Sequence, residues 1–202
     1  MLKRINNFKI WDNSSFLLQD TLDYVYVINN QKDYLSYLET TNQDFKVVWE
    51  LTNSVINPEI INKLDILIYK DNRNTDEIVF LSDRTIEVVW NIQLKVLCRE
   101  LLKRWYDASY LIGIPWTIAA ACVNNSWSGR LNQSILDNVI RIEYYVKNKK
   151  YNKNIWEILF SYRNTEFKCM NNIFISKIVL KFEQIERSEL SIKIEKRYAE
   201  RL

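Results

Sequence analysis

The sequence predicts a globular protein built from α/β or α+β layers. Apolar residues make up 48% of the 202 positions, which is enough to bury a core in one domain or in two small, closely packed ones. Runs rich in β-branched and aromatic residues alternate along the chain with segments of helical periodicity. Strands that alternate with helices favour layered packing of sheet and helix.

The first half of the chain predicts mainly strands. Residues 24–28, Tyr-Val-Tyr-Val-Ile, form a β-rich run, whereas tyrosines and leucines in 30–40 recur at helical spacing. Further strand patterns follow at four places, namely 47–49, 66–69, 78–81 and 85–90.

The second half predicts longer elements. Leucines at i, i+3 and i+7 indicate an amphipathic helix over 94–102, and a proline at the start of 115–125 is placed to open a second helix. Residues 135–146 and 173–182 predict strands. Residues 184–202 combine a few apolar positions with paired Glu, Lys and Arg, which predicts a charged terminal helix.

Composition excludes several kinds of catalytic and metal site. The chain has no histidine, and its three cysteines, Cys98, Cys122 and Cys169, show no CxxC spacing. We therefore expect neither a structural metal nor a Ser-His-Asp or Cys-His arrangement. Free thiols in the core are the simpler interpretation of the cysteines.

The charge pattern disfavours nucleic acid and membrane partners. The formal net charge is only +3, and the one basic cluster comprises Lys147, Lys149, Lys150 and Lys153. A nucleic-acid-binding protein usually shows a broad basic face, so this cluster predicts a solvated loop. No apolar run approaches the roughly 18 residues of a membrane span, and no apolar segment follows the basic N-terminal residues. We expect a cytoplasmic protein.

Glycine is rare, with two in the chain. Residues 47–56 predict a buried strand that runs into a turn, but Trp49, Glu50 and Leu51 occupy that turn. A phosphate-cradling turn needs bare backbone, because the ligand lies against main-chain N–H groups. A nucleotide-cofactor cleft at this place would be closed.

Four segments resemble one enzyme family. Residues 113–125 are similar to the Gly-Ile-Pro-Gly-Thr-Val-Gly-Gly-Ala segment, with its following Asn, of UDP-N-acetylenolpyruvoylglucosamine reductase, the MurB-type flavoenzyme of peptidoglycan precursor synthesis. Residues 47–56 resemble that family's Gly-Gly-Gly-Thr-Asn turn without its glycines, and 14–24 its N-terminal Thr-Phe segment. Residues 162–167 resemble its Tyr-Arg-x-Ser-x-Phe substrate motif, with threonine for serine.

The resemblance implies an α+β fold, namely the two-subdomain MurB-type, p-cresol methylhydroxylase (PCMH)-like flavin-binding fold with a C-terminal helix. Residues 1–70 would form the N-terminal α/β subdomain, and 71–202 a second α+β subdomain that ends in the terminal helix. In the family a third lobe follows, with a catalytic serine that protonates the substrate and a glutamate. This sequence ends at Leu202, and for that reason we expect no reductase turnover.

The resemblance also implies a cofactor cleft, which this sequence alters. Glu50 would repel the flavin diphosphate, and the Trp116 indole would overlap its path, so we expect no bound cofactor, with FAD as the alternative. Trp49 and Trp116 are expected to fill the cleft; ordinary core aromatics are the other interpretation. The positions assigned to this degenerate cleft are Trp49, Glu50, Leu51, Thr52, Asn53, Trp116, Thr117 and Asn125.

A second candidate site consists of Tyr162, Arg163 and Thr165. In the family this arginine lies at the reacting end of the substrate, and a guanidinium can hold a carboxylate bidentately. The three residues are therefore candidates for binding an anionic ligand. An ion pair of Arg163 with Glu157 or Glu166 is the competing interpretation.

The leading hypothesis is a pseudoenzyme, that is, a non-catalytic binding protein that acts with a protein partner or as a homo-oligomer. The alternative is a flavin-dependent oxidoreductase that holds flavin or a nicotinamide by an altered route, or that another subunit completes. Nucleic-acid binding through the lysine cluster is the weakest of the three. Visible absorbance of the purified protein separates the first two.

Overall fold

The computed structural model describes residues 2–9, 21–48, 64–69, 74–128 and 133–200. The strands are β1 Lys3–Lys9, β2 Thr21–Ile28, β3 Phe45–Val48, β4 Asp65–Tyr69, β5 Ile78–Phe80, β6 Thr85–Val89, β7 Val139–Val146, β8 Lys149–Asn154, β9 Phe160–Ser161, β10 Asn164–Thr165 and β11 Ile173–Lys181. The α-helices are α1 Gln31–Thr40, α2 Leu94–Leu102, α3 Ile118–Val123, α4 Glu166–Cys169 and α5 Arg187–Ala199. The mixture of sheets and helices confirms the predicted α+β class.

The chain divides into two compact units. The first comprises Met1–Asp71, Tyr144–Tyr151 and Met170–Phe174, and the second comprises the remaining segments, Asn72–Glu143, Asn152–Cys169 and Ile175–Leu202. The predicted division into 1–70 and 71–202 assigned neither of the two later segments to the first unit.

The first unit contains a four-stranded sheet in the order β1-β2-β4-β3. β1 pairs with β2 in the antiparallel sense, whereas β4 lies parallel to both β2 and β3. Leu22 and Val25 of β2 pack with Ile66 of β4 in a buried cluster. α1 begins at Gln31, shortly after β2 ends. It starts there because the Asn30 side chain accepts a hydrogen bond from the Asp33 amide and caps the helix.

A buried carboxylate joins the sheet of the first unit to α1. Asp65 at the start of β4 accepts hydrogen bonds from the hydroxyls of Tyr24, at 2.9 Å, and Tyr37, at 2.8 Å. The bond to Asp65 raises the pKa of the Tyr24 phenol, and burial followed by the same carboxylate raises the pKa of the Tyr37 phenol. Both phenols therefore stay neutral donors, which is what a buried carboxylate needs.

A five-stranded sheet has the order β5-β6-β11-β7-β8. β6 pairs antiparallel with both β5 and β11, with Val88 opposite Ile78 on one side and Ile178 on the other. In α2 the leucines at 94, 97 and 101 are buried, as the predicted amphipathic pattern requires. No helix in the described part of the chain is both long and apolar enough to cross a membrane.

Four sequence-based expectations need correction. The basic cluster was expected to form a loop, but Lys149, Lys150 and Lys153 lie in strand β8. α3 begins at Ile118 with Thr117 as its N-cap, so the proline expected to open this helix precedes it. Residues 135–138 form a 3₁₀ turn instead of a strand, because Ser134 and Asp137 close a capping box there. Cys98 and Cys122 are buried as expected, but Cys169 is exposed; burial raises the pKa of the Cys98 thiol to about 12.

Candidate functional site

The first turn of α3 lies in the segment that suggested a cofactor cleft. The amide of Ile118 donates to the carbonyl of Ile92 at 2.8 Å, and the amide of Ala119 donates to the carbonyl of Trp90 at 3.1 Å. The amide of Ala120 donates to the Thr117 hydroxyl at 3.3 Å. The first N–H groups of a helix have no acceptor within the helix itself. In α3 the amides of 118, 119 and 120 all find acceptors elsewhere in the protein.

This arrangement differs from a phosphate-binding turn. Such a turn presents unpaired main-chain N–H groups to the anion and has no Cβ atom in the way. Here the backbone of residues 90–92 takes the place that an anion would occupy against these donors. Ala119 and Ala120 are also buried, so their methyl groups belong to the core. The residues present do not fit a diphosphate at this turn.

Trp116 and Thr117 connect the same turn to α2. The amide of Leu94 donates to the Trp116 carbonyl at 2.8 Å, and Gln93 and Thr117 form an isolated bridge. The Trp116 side chain is half-buried, and the Thr117 side chain is buried as the helix cap. That Trp116 fills a former cleft stays a prediction. The other cleft positions, Trp49, Glu50, Leu51, Thr52 and Asn53, lie outside the described residues.

Asn125 links three segments of the second unit. It is fully buried in the left-handed region with φ 43°, which asparagine tolerates better than most residues. Its Nδ2 donates to the carbonyl of Ser161 at 2.8 Å, and its Oδ1 accepts from the Ser134 hydroxyl. Both ends of the side-chain amide therefore bind protein groups, which agrees with the turn and backbone hydrogen bonding that asparagine at this position suggests.

The structure separates the three residues of the second candidate site. Thr165 is buried, and its hydroxyl donates to the carbonyl of Val123 at 2.7 Å. Tyr162 and Arg163 instead form the exposed tip of the β9–β10 hairpin, between the paired residues Ser161 and Asn164. Thr165 thus holds the hairpin in place, while the other two face solvent.

At the hairpin tip, Arg163 adopts φ 53° and its guanidinium lies 5.5 Å from the centre of the Tyr162 ring. The expected carboxylate partners are engaged elsewhere: Glu166 pairs with Lys153 at 2.8 Å, and Glu157 accepts from the amide of Asn154 at 2.8 Å. Within the described ranges Arg163 forms an ion pair with neither. Among the described residues its charge therefore has no carboxylate partner.

Sequence reasoning missed a group of buried polar atoms on the loop after α3 and at the end of α5. Arg197 is buried, and its Nη1 donates to the Ser128 carbonyl at 2.9 Å and lies 3.5 Å from Glu200 Oε2. The Arg197 Nε, the Ser126 hydroxyl and the Ser128 hydroxyl have no hydrogen-bond partner among the described residues. Nothing in the charged pattern of the terminal helix distinguishes Arg197 from its exposed neighbours.

The comparisons with known proteins establish the fold. The sequence matches no family model and no curated protein. Among solved structures, the MurB reductase from Thermus caldophilus superimposes with a TM-score of 0.71 at 14% identity, over 100% of this chain and 69% of that one. Cholesterol oxidase from Brevibacterium sterolicum gives 0.57 at 11% identity, over 91% and 38%. An alkyldihydroxyacetonephosphate synthase gives 0.57 at 13%, over 84% and 33%. The expected MurB-like fold is confirmed.

Proposed function

We propose that this protein is a MurB-like pseudoenzyme, a non-catalytic binding or interaction protein that has lost FAD binding and acts with a protein partner or as a homo-oligomer. The observation that carries the proposal is the first turn of α3, whose amides at 118, 119 and 120 already donate to the carbonyls of Ile92 and Trp90 and to Thr117.

These hydrogen bonds weaken the binding of a diphosphate. A diphosphate at this turn would have to displace protein acceptors before it gained any hydrogen bond from the amides. A hydrogen bond to a charged group contributes about 1.5–3 kcal/mol, so the loss of several such contacts removes a large part of what would retain a flavin. Trp49 and Glu50 support the same proposal from the sequence alone, since a bulky ring and a carboxylate oppose a diphosphate.

The purified protein is expected to be colourless, because flavin should not survive purification without these donors. Titration of FAD into the protein should leave flavin fluorescence unchanged. The double variant Ala119→Gly/Ala120→Gly removes both methyl groups but leaves the amides bonded to the protein, so it should also fail to bind FAD.

A yellow preparation that releases flavin on denaturation would contradict the pseudoenzyme proposal. Binding of FAD by the double-glycine variant alone would show that the methyl groups, and not the engaged amides, exclude the cofactor. An unrelated flavoprotein carried through the same purification controls for loss of flavin in handling.

One observation favours the alternative, a flavin-dependent oxidoreductase with an altered cofactor site or one completed by a partner subunit. The buried Arg197 Nε and the hydroxyls of Ser126 and Ser128 are donors without a partner among the described residues, and donors of this kind suit an anion, although the Glu200 carboxylate beside Arg197 offsets part of its charge. If the protein binds flavin, we expect Arg197→Met and Ser126→Ala/Ser128→Ala each to weaken that binding, whereas Ser188→Ala at the exposed start of α5 should not.

We place the protein in the cytoplasm. Its three cysteines are unpaired, as is usual where glutathione and thioredoxin keep thiols reduced.

A further inference from the structure

Large apolar side chains are exposed within eight consecutive residues of the second unit. Trp156 is 76% exposed, Leu159 75%, Phe160 49% and Tyr162 66%, and Arg163 follows at the hairpin tip. Single apolar residues scattered over a surface need no explanation, whereas several large ones exposed so close together are typical of an interaction site. Trp, Tyr and Arg are also the residue types that contribute most to protein–protein affinity.

The backbone of this segment is held by bonds to the rest of the second unit. Leu159 and Glu166 exchange backbone and side-chain hydrogen bonds, with the Glu166 amide donating to the Leu159 carbonyl at 2.9 Å and the Leu159 amide to Glu166 Oε1 at 3.2 Å. The Ser161 carbonyl accepts from Asn125. The exposed side chains thus stand on a fixed backbone, which lowers the ordering cost of binding.

We propose that residues 156–163 form a docking surface for a short, acidic and apolar segment of another protein. This inference deepens the proposed function and rests on it, since it names the surface through which a non-catalytic protein would act. The apolar side chains would contact aromatic or aliphatic residues of the partner, and Arg163 would pair with a carboxylate.

The area of the surface favours a short segment over a second copy of this chain. An aromatic side chain covers about 150–250 Å² when fully buried, so the three exposed rings offer about 300–500 Å². A stable interface between folded proteins buries about 800 Å² on each partner. The three rings alone do not reach that area, and a surface of eight consecutive residues suits a peptide-like segment.

The charge of the surface selects the chemistry of the partner. Arg163 forms no ion pair with a described residue, so an acidic group of the partner can reach an available guanidinium. Residues 156–163 carry one acidic and one basic side chain, Glu157 and Arg163, and Glu157 accepts from the Asn154 amide. The attraction for an acidic group therefore rests on Arg163. Attraction to an anionic membrane needs several basic residues, at about 1 kcal/mol each. A membrane is therefore disfavoured.

Selection of displayed random peptides against the full chain tests the proposal. We expect the enriched peptides to combine aromatic or aliphatic residues with Asp or Glu. The variant Trp156→Ala/Tyr162→Ala should bind them at least about 30-fold more weakly, as for loss of hot-spot residues. Arg163→Glu should prefer the same peptides with Lys in place of the acidic residues.

A matched control removes exposed apolar side chains elsewhere. Ile192→Ala/Tyr198→Ala on α5 changes residues of similar exposure, at 66% and 58%, and should leave peptide binding unchanged. Circular dichroism should show every variant folded, since surface substitutions usually change stability little.

Three results would overturn the inference. In the first, the peptides bind the Trp156→Ala/Tyr162→Ala variant with the same affinity as the original protein. In the second, Arg163→Glu selects peptides of the same charge as the original protein. The third is co-sedimentation with phosphatidylserine vesicles that this double variant alone abolishes, which would assign the surface to a membrane. Flavin binding with intact peptide docking would contradict the proposed function only, whereas a colourless protein whose peptides ignore this surface would contradict the docking inference only.

Discussion

Replacement of Asn125 by alanine is expected to lower the free energy of unfolding by about 2–3 kcal/mol, since it removes the acceptor of the buried Ser134 hydroxyl, whose oxygen keeps only the Leu136 amide, and the donor to the Ser161 carbonyl. A buried polar group left unpaired costs about 1–3 kcal/mol. A residue with a Cβ atom but no local polar side chain adds roughly 1–2 kcal/mol in the left-handed region. Chemical denaturation measures the loss.

The variant Asn125→Gly separates the two contributions. Glycine loses the same hydrogen bonds but adopts φ 43° without steric cost, so its loss should be about 1 kcal/mol smaller than that of alanine. Proteolysis should cut both variants faster near 160–165, because Asn125 anchors β9 through Ser161. A loss of stability below about 1 kcal/mol in Asn125→Ala would mean that this amide is not the anchor.

Asn125 illustrates what the sequence could and could not predict about this site. Asn125 stood in a segment that resembles a cofactor-binding sequence, and the residue type suits both a ligand and a turn. Its partners lie 9 and 36 positions away, a distance at which periodicity carries no information. The residue type suited a turn and backbone hydrogen bonding, but the sequence could not say which distant groups its amide binds.

Elements with a strong local pattern were predicted well. The buried leucines of α2 and the β-branched run of β2 each show their period within one element, so no distant contact is needed to infer them. The MurB-like fold class was also accessible from the order of short motifs along the chain. β1, β8 and the β9–β10 hairpin were missed, because strands β1 and β8 are rich in polar residues and β9 and β10 have two residues each.

Burial of polar groups was the least accessible feature. Arg197 lies in a helix where charged residues prevail, yet its guanidinium donates to the carbonyl of Ser128, 69 positions away. The chemistry of the α3 turn was hidden for the same reason, since the carbonyls of Trp90 and Ile92 belong to a different segment. The burial of Arg197 and the acceptors of the α3 amides both depend on contacts between segments that are distant in the sequence.

The Tyr34 side chain should be costly to remove, because it lies in a buried aromatic cluster of the first unit. It is fully buried, its ring stacks on Phe174 with centres 4.1 Å apart, and it meets Phe45 edge-on at 5.8 Å. Its hydroxyl donates to the Lys147 carbonyl at 2.6 Å. Burial raises the pKa of this phenol, so it stays a neutral donor.

Tyr34→Ala should therefore lower the free energy of unfolding by about 3–5 kcal/mol, the range for truncating an aromatic side chain in a core. This is a large part of the about 5–15 kcal/mol that stabilises a typical protein. Tyr34→Phe keeps the ring and loses only the hydroxyl, so it should cost about 1 kcal/mol. Hydrogen exchange read by peptide mass spectrometry distinguishes the two units: in Tyr34→Ala, faster exchange should appear first in 21–48, 144–151 and 170–174. Equal acceleration throughout the chain would instead show that the two units unfold as one cooperative body. If Tyr34→Ala lowers the free energy of unfolding only as much as Tyr34→Phe does, the stacked ring contributes little.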